Sequence, residues 1–300
     1  MLYSYSLGFG FVSTGWDVHE GGHQWINTTT ADPQSKGGLF LTDSRPLGAR
    51  GFAVKRFNPL HHYSGLFRNF AATPPTTNGI KAFADKFGML GGDASTMIVL
   101  PDRTRGKCQL VGLGERSRDW VREILTMRQL DDLWDMARRG DAGGLAPFIQ
   151  WRKKGVFYDS HPKLRPKERP KRPFIRAVAR ISTGHSGDPS EAFHGGDLIE
   201  PALCYAQGVI NDRLKDRVSS RLLWDPHRSR LKLHVVPDSL LGAIWLQFAR
   251  AIENKSEFRI CVECAMWFEL SPQTGRSDKI YCSDACRMRA YRKRKSATVS

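Results

Sequence analysis

Apolar residues recur at three- and four-residue spacing in several stretches of the chain, which is the spacing of one face of an α-helix. This periodicity predicts long helices over residues 119–139, 197–218 and 238–254. A shorter helix is predicted after the two prolines at 74 and 75, where Thr76 or Thr77 can cap its first turn and Gly88 can end it.

Short apolar runs separated by polar turn residues indicate strands elsewhere in the chain. Residues 97–100 and 107–113 lie on either side of a polar turn, and residues 221–224 and 231–236 flank a basic turn that reads as the tip of a hairpin. The first 60 residues are rich in Gly, Ser, Thr and aromatic residues. They predict irregular β structure, with extended segments over residues 3–12, 38–41 and 51–57.

A basic, proline-rich segment separates the two halves of the sequence. Between Arg152 and Arg176 there are ten Lys or Arg residues, two acidic residues and four prolines. Proline at this density blocks helix and central strand, so we expect an extended, solvated linker. A phosphate-contacting arm is the functional alternative for the same charges.

These patterns predict an α+β protein, and 300 residues suffice for more than one core. The predicted parts are an α+β domain of unknown role (1–155), the basic linker (156–176), a mainly helical domain with a hairpin (177–256) and a four-cysteine zinc finger (257–300).

Four of the six cysteines lie in the last forty residues, spaced as C-x2-C and C-x3-C with a seventeen-residue gap between the pairs. Thiolates two or three residues apart can converge on one ion, and two such pairs can complete a tetrahedral Zn²⁺ site. The predicted ligands of one structural zinc are Cys261, Cys264, Cys282 and Cys286. Two disulfides or four separate buried thiols are the alternatives, and Cys108 and Cys204 are expected to be reduced core residues.

The residues around the cysteines predict a small fold that depends on the metal. An apolar strand over 266–270 follows the first pair, a turn over 271–275 reverses the chain, and Ile280 and Tyr281 return to the metal. Ser283 or Asp284 can then cap a helix. Its apolar residues at helical spacing are Ala285, Met288 and Tyr291, with cations on the other faces. A knuckle, a hairpin and a helix in this order describe a treble clef.

Two runs, Arg259-Ile-Cys-Val-Glu-Cys-Ala-Met-Trp-Phe-Glu and Tyr281-Cys-Ser-Asp-Ala-Cys-Arg-Met-Arg-Ala-Tyr-Arg, resemble the C-terminal zinc finger of bacterial CGNR-type proteins. The similarity extends to the helix that starts near Pro237. That family typically has four residues before Cys-Gly-Asn-Arg, whereas this chain has three residues before Cys286-Arg-Met-Arg. The resemblance implies the four zinc ligands and a role in transcription regulation.

The charge of the chain favours a polyanionic partner. Lys and Arg outnumber Asp and Glu by 46 to 30, which gives a formal net charge of +16. Such a field attracts nucleic acid, although a basic enzyme or a solubilising surface would have the same composition. There is no secretory leader pattern and no apolar run of the ~18 residues needed to span a membrane, so we expect a cytoplasmic protein without a membrane partner.

The leading hypothesis is a nucleic-acid-binding protein, with DNA preferred to RNA, whose helix after the zinc site contacts phosphates. The oligomeric state is left open. The predicted contacts are Arg287, Arg289, Arg292, Lys293, Arg294 and Lys295.

Two other classes of function were weighed. A zinc-dependent protein-interaction adaptor would expose Trp267 and Phe268, because aromatic residues dominate protein interfaces. A metalloenzyme would use His19-Glu20-x-x-His23, but its two glycines disfavour the helix that aligns the histidines, and no third ligand follows at the usual spacing. The chain has no other catalytic or nucleotide-binding motif, so we expect a protein that is not an enzyme.

Overall fold

The structure is a computed structural model. It describes residues 3–7, 9–13, 16–19, 21–31, 37–44, 54–101, 109–153, 155–160, 178–181, 193–225, 229–270 and 278–297. The contacts divide the chain into two compact units, one formed by Met1–Ser117 with Asp216–Ser300 and the other by Arg118–Lys215. This division differs from the four consecutive parts predicted above, because the first unit joins segments from both ends of the chain.

The strands, in chain order, are β1 (Tyr3–Leu7), β2 (Phe9–Ser13), β3 (Trp16–His19), β4 (His23–Thr28), β5 (Gly38–Asp43), β6 (Val54–Phe57), β7 (Ser95–Pro101), β8 (Gln109–Arg116), β9 (Ile149–Arg152), β10 (Gly155–Asp159), β11 (Val178–Arg180), β12 (Val218–Asp225), β13 (Arg230–Pro237), β14 (Glu257–Ile260) and β15 (Trp267–Leu270). The helices are α1 (Pro59–His62), α2 (Leu66–Ala72), α3 (Thr77–Phe87), α4 (Ser117–Arg138), α5 (Ala142–Leu145), α6 (Ile199–Leu214), α7 (Leu240–Glu253) and α8 (Asp284–Ala297).

The sheets of the first unit explain why its two chain segments belong together. Strands β1, β2, β13 and β12 form one four-stranded sheet in this order. The β1–β2 pair and the β12–β13 hairpin meet in it through the parallel pair β2–β13. A second sheet has the order β4, β5, β8, β7, and it is antiparallel throughout. Two-stranded sheets are formed by β3 with β6 and by β14 with β15.

The core of the first unit surrounds α7. Its residues from Leu240 to Phe248 are buried on all sides, so α7 is a central helix and not an amphipathic surface helix. Ser239 caps it, because its hydroxyl accepts a hydrogen bond from the N–H of Gly242 at 3.0 Å. The buried side chain of Gln247 joins α7 to α2 by accepting from the N–H of Phe67 at 3.0 Å.

The second unit is built on α4, whose buried face includes Trp120, Ile124 and Leu130. A three-stranded antiparallel sheet with the order β11, β10, β9 completes it together with α6. The Tyr158 ring of β10 stacks on the Tyr205 ring of α6 with centroids 3.8 Å apart. This contact fixes α6 on the sheet.

The sequence predictions of long elements are confirmed. The four predicted helices correspond to α3, α4, α6 and α7, and Thr76 caps α3 as expected, since its side chain accepts from the N–H of Gly79. The hairpin corresponds to β12 and β13. The buried side of α6 is formed by Pro201, Ala202, Ala206 and Ile210, whereas Leu203, which was predicted on the apolar face, is 39% exposed.

The predicted linker over 156–176 is wrong at its start, because residues 156–159 belong to the buried strand β10 and Ser160 is also buried. Its remaining residues, 161–176, lie outside the described residues, as do Cys108 and the turn predicted over 271–275. Within the part of the chain that the structure describes, no helix has the length and apolar character required to cross a bilayer.

Candidate metal centre

The first cysteine pair lies on a tight turn that follows β14. The N–H of Cys261 donates to the carbonyl of Met266, and the N–H of Ala265 donates to the carbonyl of Cys261, each at 2.9 Å. Ala265 has a φ of 54°, the left-handed conformation that glycine adopts most easily. The turn thereby places Cys261 and Cys264 on the same side of the chain.

The second pair lies at the start of α8. Cys286 is in the first turn of the helix, and its N–H donates to the Ser283 hydroxyl at 3.3 Å. Ser283 therefore caps the helix as one of the two residues predicted to do so. The N–H of Val262 donates to the carbonyl of Ile280 at 3.2 Å, and this bond holds the loop before Cys282 against the first turn.

The four sulfur atoms converge, and all lie within 4.8 Å of one another. The Cys264 Sγ to Cys282 Sγ distance is 3.6 Å, and the Cys282 Sγ to Cys286 Sγ distance is 3.4 Å. In a tetrahedron with metal–sulfur bonds of about 2.3 Å, the sulfur–sulfur distance is about 3.8 Å. All four cysteines are free, so the disulfide alternative is wrong. The four cysteines could bind one metal ion.

The electrostatics of the cluster also suit a cation. Burial by itself would raise the pKa of Cys261, but backbone N–H groups of Cys282, Cys264 and Glu263 point at its sulfur and lower the pKa to about 6. Burial and the neighbouring sulfurs raise the pKa values of Cys264 and Cys282. Four thiolates at these distances repel one another, so a cation that binds them would displace their protons.

Two cations of α8 lie against the cysteine turn, and one of them contacts a sulfur. Arg289 Nη2 donates to Cys286 Sγ at 2.8 Å, and Arg289 Nε lies 3.8 Å from Glu263 Oε1. Lys293 Nζ lies 2.7 Å from the same Glu263 oxygen. Of the six predicted phosphate contacts, Arg289 thus lies against a cysteine and Lys293 against Glu263, while both side chains stay more than half exposed. Their geometry fits neutralisation of thiolates and attachment of α8 to the knuckle.

The opposite face of α8 points into solvent. Met288, Tyr291, Arg292 and Lys295 share one face because they lie at positions i, i+3, i+4 and i+7, about half a turn away from Cys286. Met288 is 44% and Tyr291 is 53% exposed, and every residue from 291 to 297 is exposed. The residues predicted as the apolar side of this helix are therefore exposed, since only Cys286 of α8 is buried. Of the remaining predicted contacts, Arg287 pairs with Asp284 at 3.1 Å.

Helix α2 holds the hairpin of the metal centre in place. The N–H of Trp267 donates to Asn69 Oδ1, and the N–H of Glu269 donates to Ser64 Oγ, both at 3.0 Å. The guanidinium of Arg68 lies 4.9 Å from the Trp267 ring centre. Phe268 is 4% exposed and packs against the cysteines. The exposed Trp267 and Phe268 that an adaptor would require are thus not found.

Sequence reasoning missed Glu263 and the α2 residues Asn69 and Arg68. Glu263 is an acidic residue between two cysteines, and the helix after the second cysteine pair is basic. Since opposite charges in a small domain tend to pair, the sequence could have suggested an ion pair between Glu263 and this helix. Asn69 precedes Trp267 by 198 positions, and no local pattern relates residues that far apart.

The two histidines of the His19-Glu20-x-x-His23 segment lie in strands and not on a helix. His19 ends β3 and His23 begins β4, so the two histidines do not lie one helical turn apart. The His23 ring is 3% exposed, and its Nδ1 lies 3.1 Å from Asp85 Oδ1. Burial lowers the pKa of His23, an effect that Asp85 partly offsets. Among the described residues, the cysteine cluster is the group of Cys, His, Asp or Glu side chains with metal-binding geometry.

Comparison of the chain with protein-family models, curated proteins and solved structures gives no match. The relationship to CGNR-type zinc fingers and the treble-clef classification are therefore retained only as proposals.

Proposed function

We propose that the metal ion is a single structural Zn²⁺ bound by Cys261, Cys264, Cys282 and Cys286. Four thiolates in tetrahedral contact are a donor set that Zn²⁺ prefers, and a complete set of protein ligands is typical of structural sites. The N–H donors to Cys261 favour its thiolate, and Arg289 donates a hydrogen bond to Cys286 Sγ.

Metal analysis of the purified full chain tests this proposal. About one zinc per chain is expected, and Cys264→Ser or Cys282→Ser should lower that value to near zero, because three ligands leave the site open. The matched control is Cys204→Ser, a free cysteine of α6. Equal zinc contents in all three variants would contradict the assignment.

We propose further that the chain is a nucleic-acid-binding protein that acts as a transcription regulator of the bacterial CGNR-related type, with DNA preferred to RNA. The supporting observation is the solvent-facing side of α8, which carries Arg292 and Lys295 beside the exposed Tyr291. Arginine and lysine on a fixed helix can neutralise phosphates, and an exposed aromatic ring can contact sugars or bases. No catalytic activity forms part of the proposal.

The contacts of α8 divide its six predicted basic residues into two groups. Arg292 and Lys295, flanked by Arg287 and Arg294, are assigned to the nucleic acid. Arg289 and Lys293 are assigned to the metal centre, because both lie against Glu263. A bound metal would hold α8 in place through Cys286 before DNA binds, which lowers the conformational entropy that association costs.

Paired charge removals test the contact surface. Arg292→Gln with Lys295→Gln should weaken binding to duplex DNA and lower the slope of log affinity against log salt by about 1.8, at about 0.9 per phosphate contact. The control is Arg118→Gln with Arg139→Gln, which removes the same charge from two exposed arginines of the second unit. An equal loss of DNA affinity in the two double variants would show that net charge alone causes the binding.

A protein-interaction adaptor is the second candidate. The observation in its favour is the exposure of Val262 (65%) and Ile280 (44%) beside the cysteines. Binding of a protein partner that is lost with Val262→Ser, together with no affinity for DNA or RNA at low salt, would place this function first.

A further inference from the structure

The β12–β13 hairpin has its apolar side turned to solvent. Cross-strand pairing places Leu222 opposite Leu233 and Trp224 opposite Leu231. Because side chains alternate across a strand, these four residues share one side of the sheet. They are 60%, 48%, 59% and 58% exposed, respectively. We define the outer hairpin face by Ser220, Leu222, Trp224, Leu231, Leu233 and Val235.

The other side of the same hairpin is the polar one. Six of its eight residues are polar, and the side contacts α7, although the Arg221 side chain is 54% exposed. The eight residues are Ser219, Arg221, Leu223, Asp225, Arg230, Lys232, His234 and Val236. Asp225 and His234 are 5% and 1% exposed. An antiparallel sheet with one solvated side normally places apolar residues inward and polar residues outward. The hairpin has the reverse order, which favours a second surface that could cover the outer hairpin face.

The size of the face meets the requirement of a protein interface. The four large side chains expose apolar surface on the order of 500 Å², near the upper limit for the largest patch on a monomer. Two such faces packed together would bury on the order of 1,000 Å² before any polar rim is included, which is the lower bound for a specific interface.

The absence of charged residues on the outer hairpin face favours an uncharged partner surface. None of its six residues is charged, whereas the chain carries a formal net charge of +16. A nucleic acid or an acidic protein would be attracted by cations, and the outer hairpin face offers none. A second copy of the same face can pack on it without bringing like charges together at the centre. Flat sheets pack face to face at about 10 Å, and such a contact closes under two-fold symmetry.

We propose that the chain forms a two-fold symmetric homodimer in which the outer hairpin faces of two copies pack against each other. The contact is independent of the metal site and of the proposed nucleic-acid function. In the dimer, Trp224 and Leu222 of both copies lie in the interface. The sheet that contains β12 and β13 in one copy packs on the same sheet of the other copy and forms a two-layer sandwich.

Sedimentation equilibrium of the metal-loaded full chain tests the proposal. The expected mass at tens of micromolar is twice the 33.8 kDa of one chain. Leu233→Glu should raise the dimer dissociation constant by at least about 100-fold, because it places a carboxylate in an apolar interface. Leu113→Glu is the matched control, since Leu113 is a 61% exposed leucine of the β4–β5–β8–β7 sheet, and it should leave the mass unchanged.

A second variant guards against a folding defect. Leu222→Ser removes apolar area without adding charge, and it should weaken the dimer while circular dichroism and metal content stay at the wild-type level. A wild-type chain that stays at 33.8 kDa overturns the proposal. Equal dissociation by Leu113→Glu, or a monomer that binds neutral phosphatidylcholine vesicles through Trp224, overturns it as well.

Discussion

At the scale of single residues, Ala265 shows how the metal centre constrains the backbone. The turn that brings Cys261 and Cys264 together needs a left-handed residue after the second cysteine, and this chain places alanine there with a φ of 54°. An L-residue in this conformation costs roughly 1–2 kcal/mol relative to the right-handed one. The two backbone hydrogen bonds of the turn offset this conformational free energy.

Ala265→Gly should therefore stabilise the metal centre. We expect a gain of about 1 kcal/mol in the free energy of unfolding, measured with urea on the metal-loaded chain. Ala285→Gly is the matched control, because the same change in the exposed first turn of α8 should cost up to about 1 kcal/mol. A lower free energy of unfolding in both variants would show that the turn is not strained at Ala265.

His23 gives a residue-scale prediction on pH. Burial lowers its pKa below 6.5 in the folded chain, so the folded state resists protonation more than the unfolded state does. The stability that results is fully present above pH 6.5 and is lost as the pH falls below that value. His23→Gln should flatten the fall of the urea midpoint between about pH 6.5 and pH 5 relative to wild type. The control variant is His194→Gln, which removes the imidazole of an exposed histidine.

At the scale of elements, the contact between α2 and β15 determines how the metal centre is oriented. A Cβ atom at Gly65 would lie 2.6 Å from the Trp267 carbonyl oxygen, so a side chain at this position does not fit. The close approach lets Asn69 and Ser64 reach the backbone of β15.

Gly65→Ala should destabilise the first unit by about 1–3 kcal/mol, because two backbone segments must move apart. Urea unfolding of the full chain measures the effect. Gly208→Ala is the control, since Gly208 lies within α6 with open space around it, and alanine there should stabilise the helix by up to about 1 kcal/mol. A neutral Gly65→Ala variant would mean that the α2–β15 contact is loose.

The elements also show which features a sequence can predict. Helix periodicity, the Thr76 cap and the spacing within each cysteine pair depend on neighbours within a few residues, and the structure has the helices, the cap and a cluster of the four cysteines. The parallel pairing of β2 with β13 joins residues more than 200 positions apart, and no local pattern encodes it. The roles of Arg289 and Lys293 could not be separated from those of Arg292 and Lys295 by spacing alone, because the position of Glu263 decides them.

At the scale of the whole molecule, the first unit joins a cysteine cluster that could bind a metal, a body that orients the cluster and an exposed basic helix. The centre is attached to α2, and α8 is anchored to the centre through Cys286. The last two turns of α8 bury nothing, so their helical form depends on that anchor. Loss of the metal should therefore disorder the basic side chains and weaken any phosphate contact they make.

The most direct test of this account is the salt dependence of duplex DNA binding by the full chain, with and without its metal. If Arg287, Arg292, Arg294 and Lys295 each neutralise one phosphate, log affinity should fall against log salt with a slope of roughly −3.6 for the metal-loaded chain. Removal of the metal with a chelator should lower the affinity at every salt concentration and make the slope shallower. A slope near zero for both DNA and RNA, or identical curves with and without metal, would contradict the account.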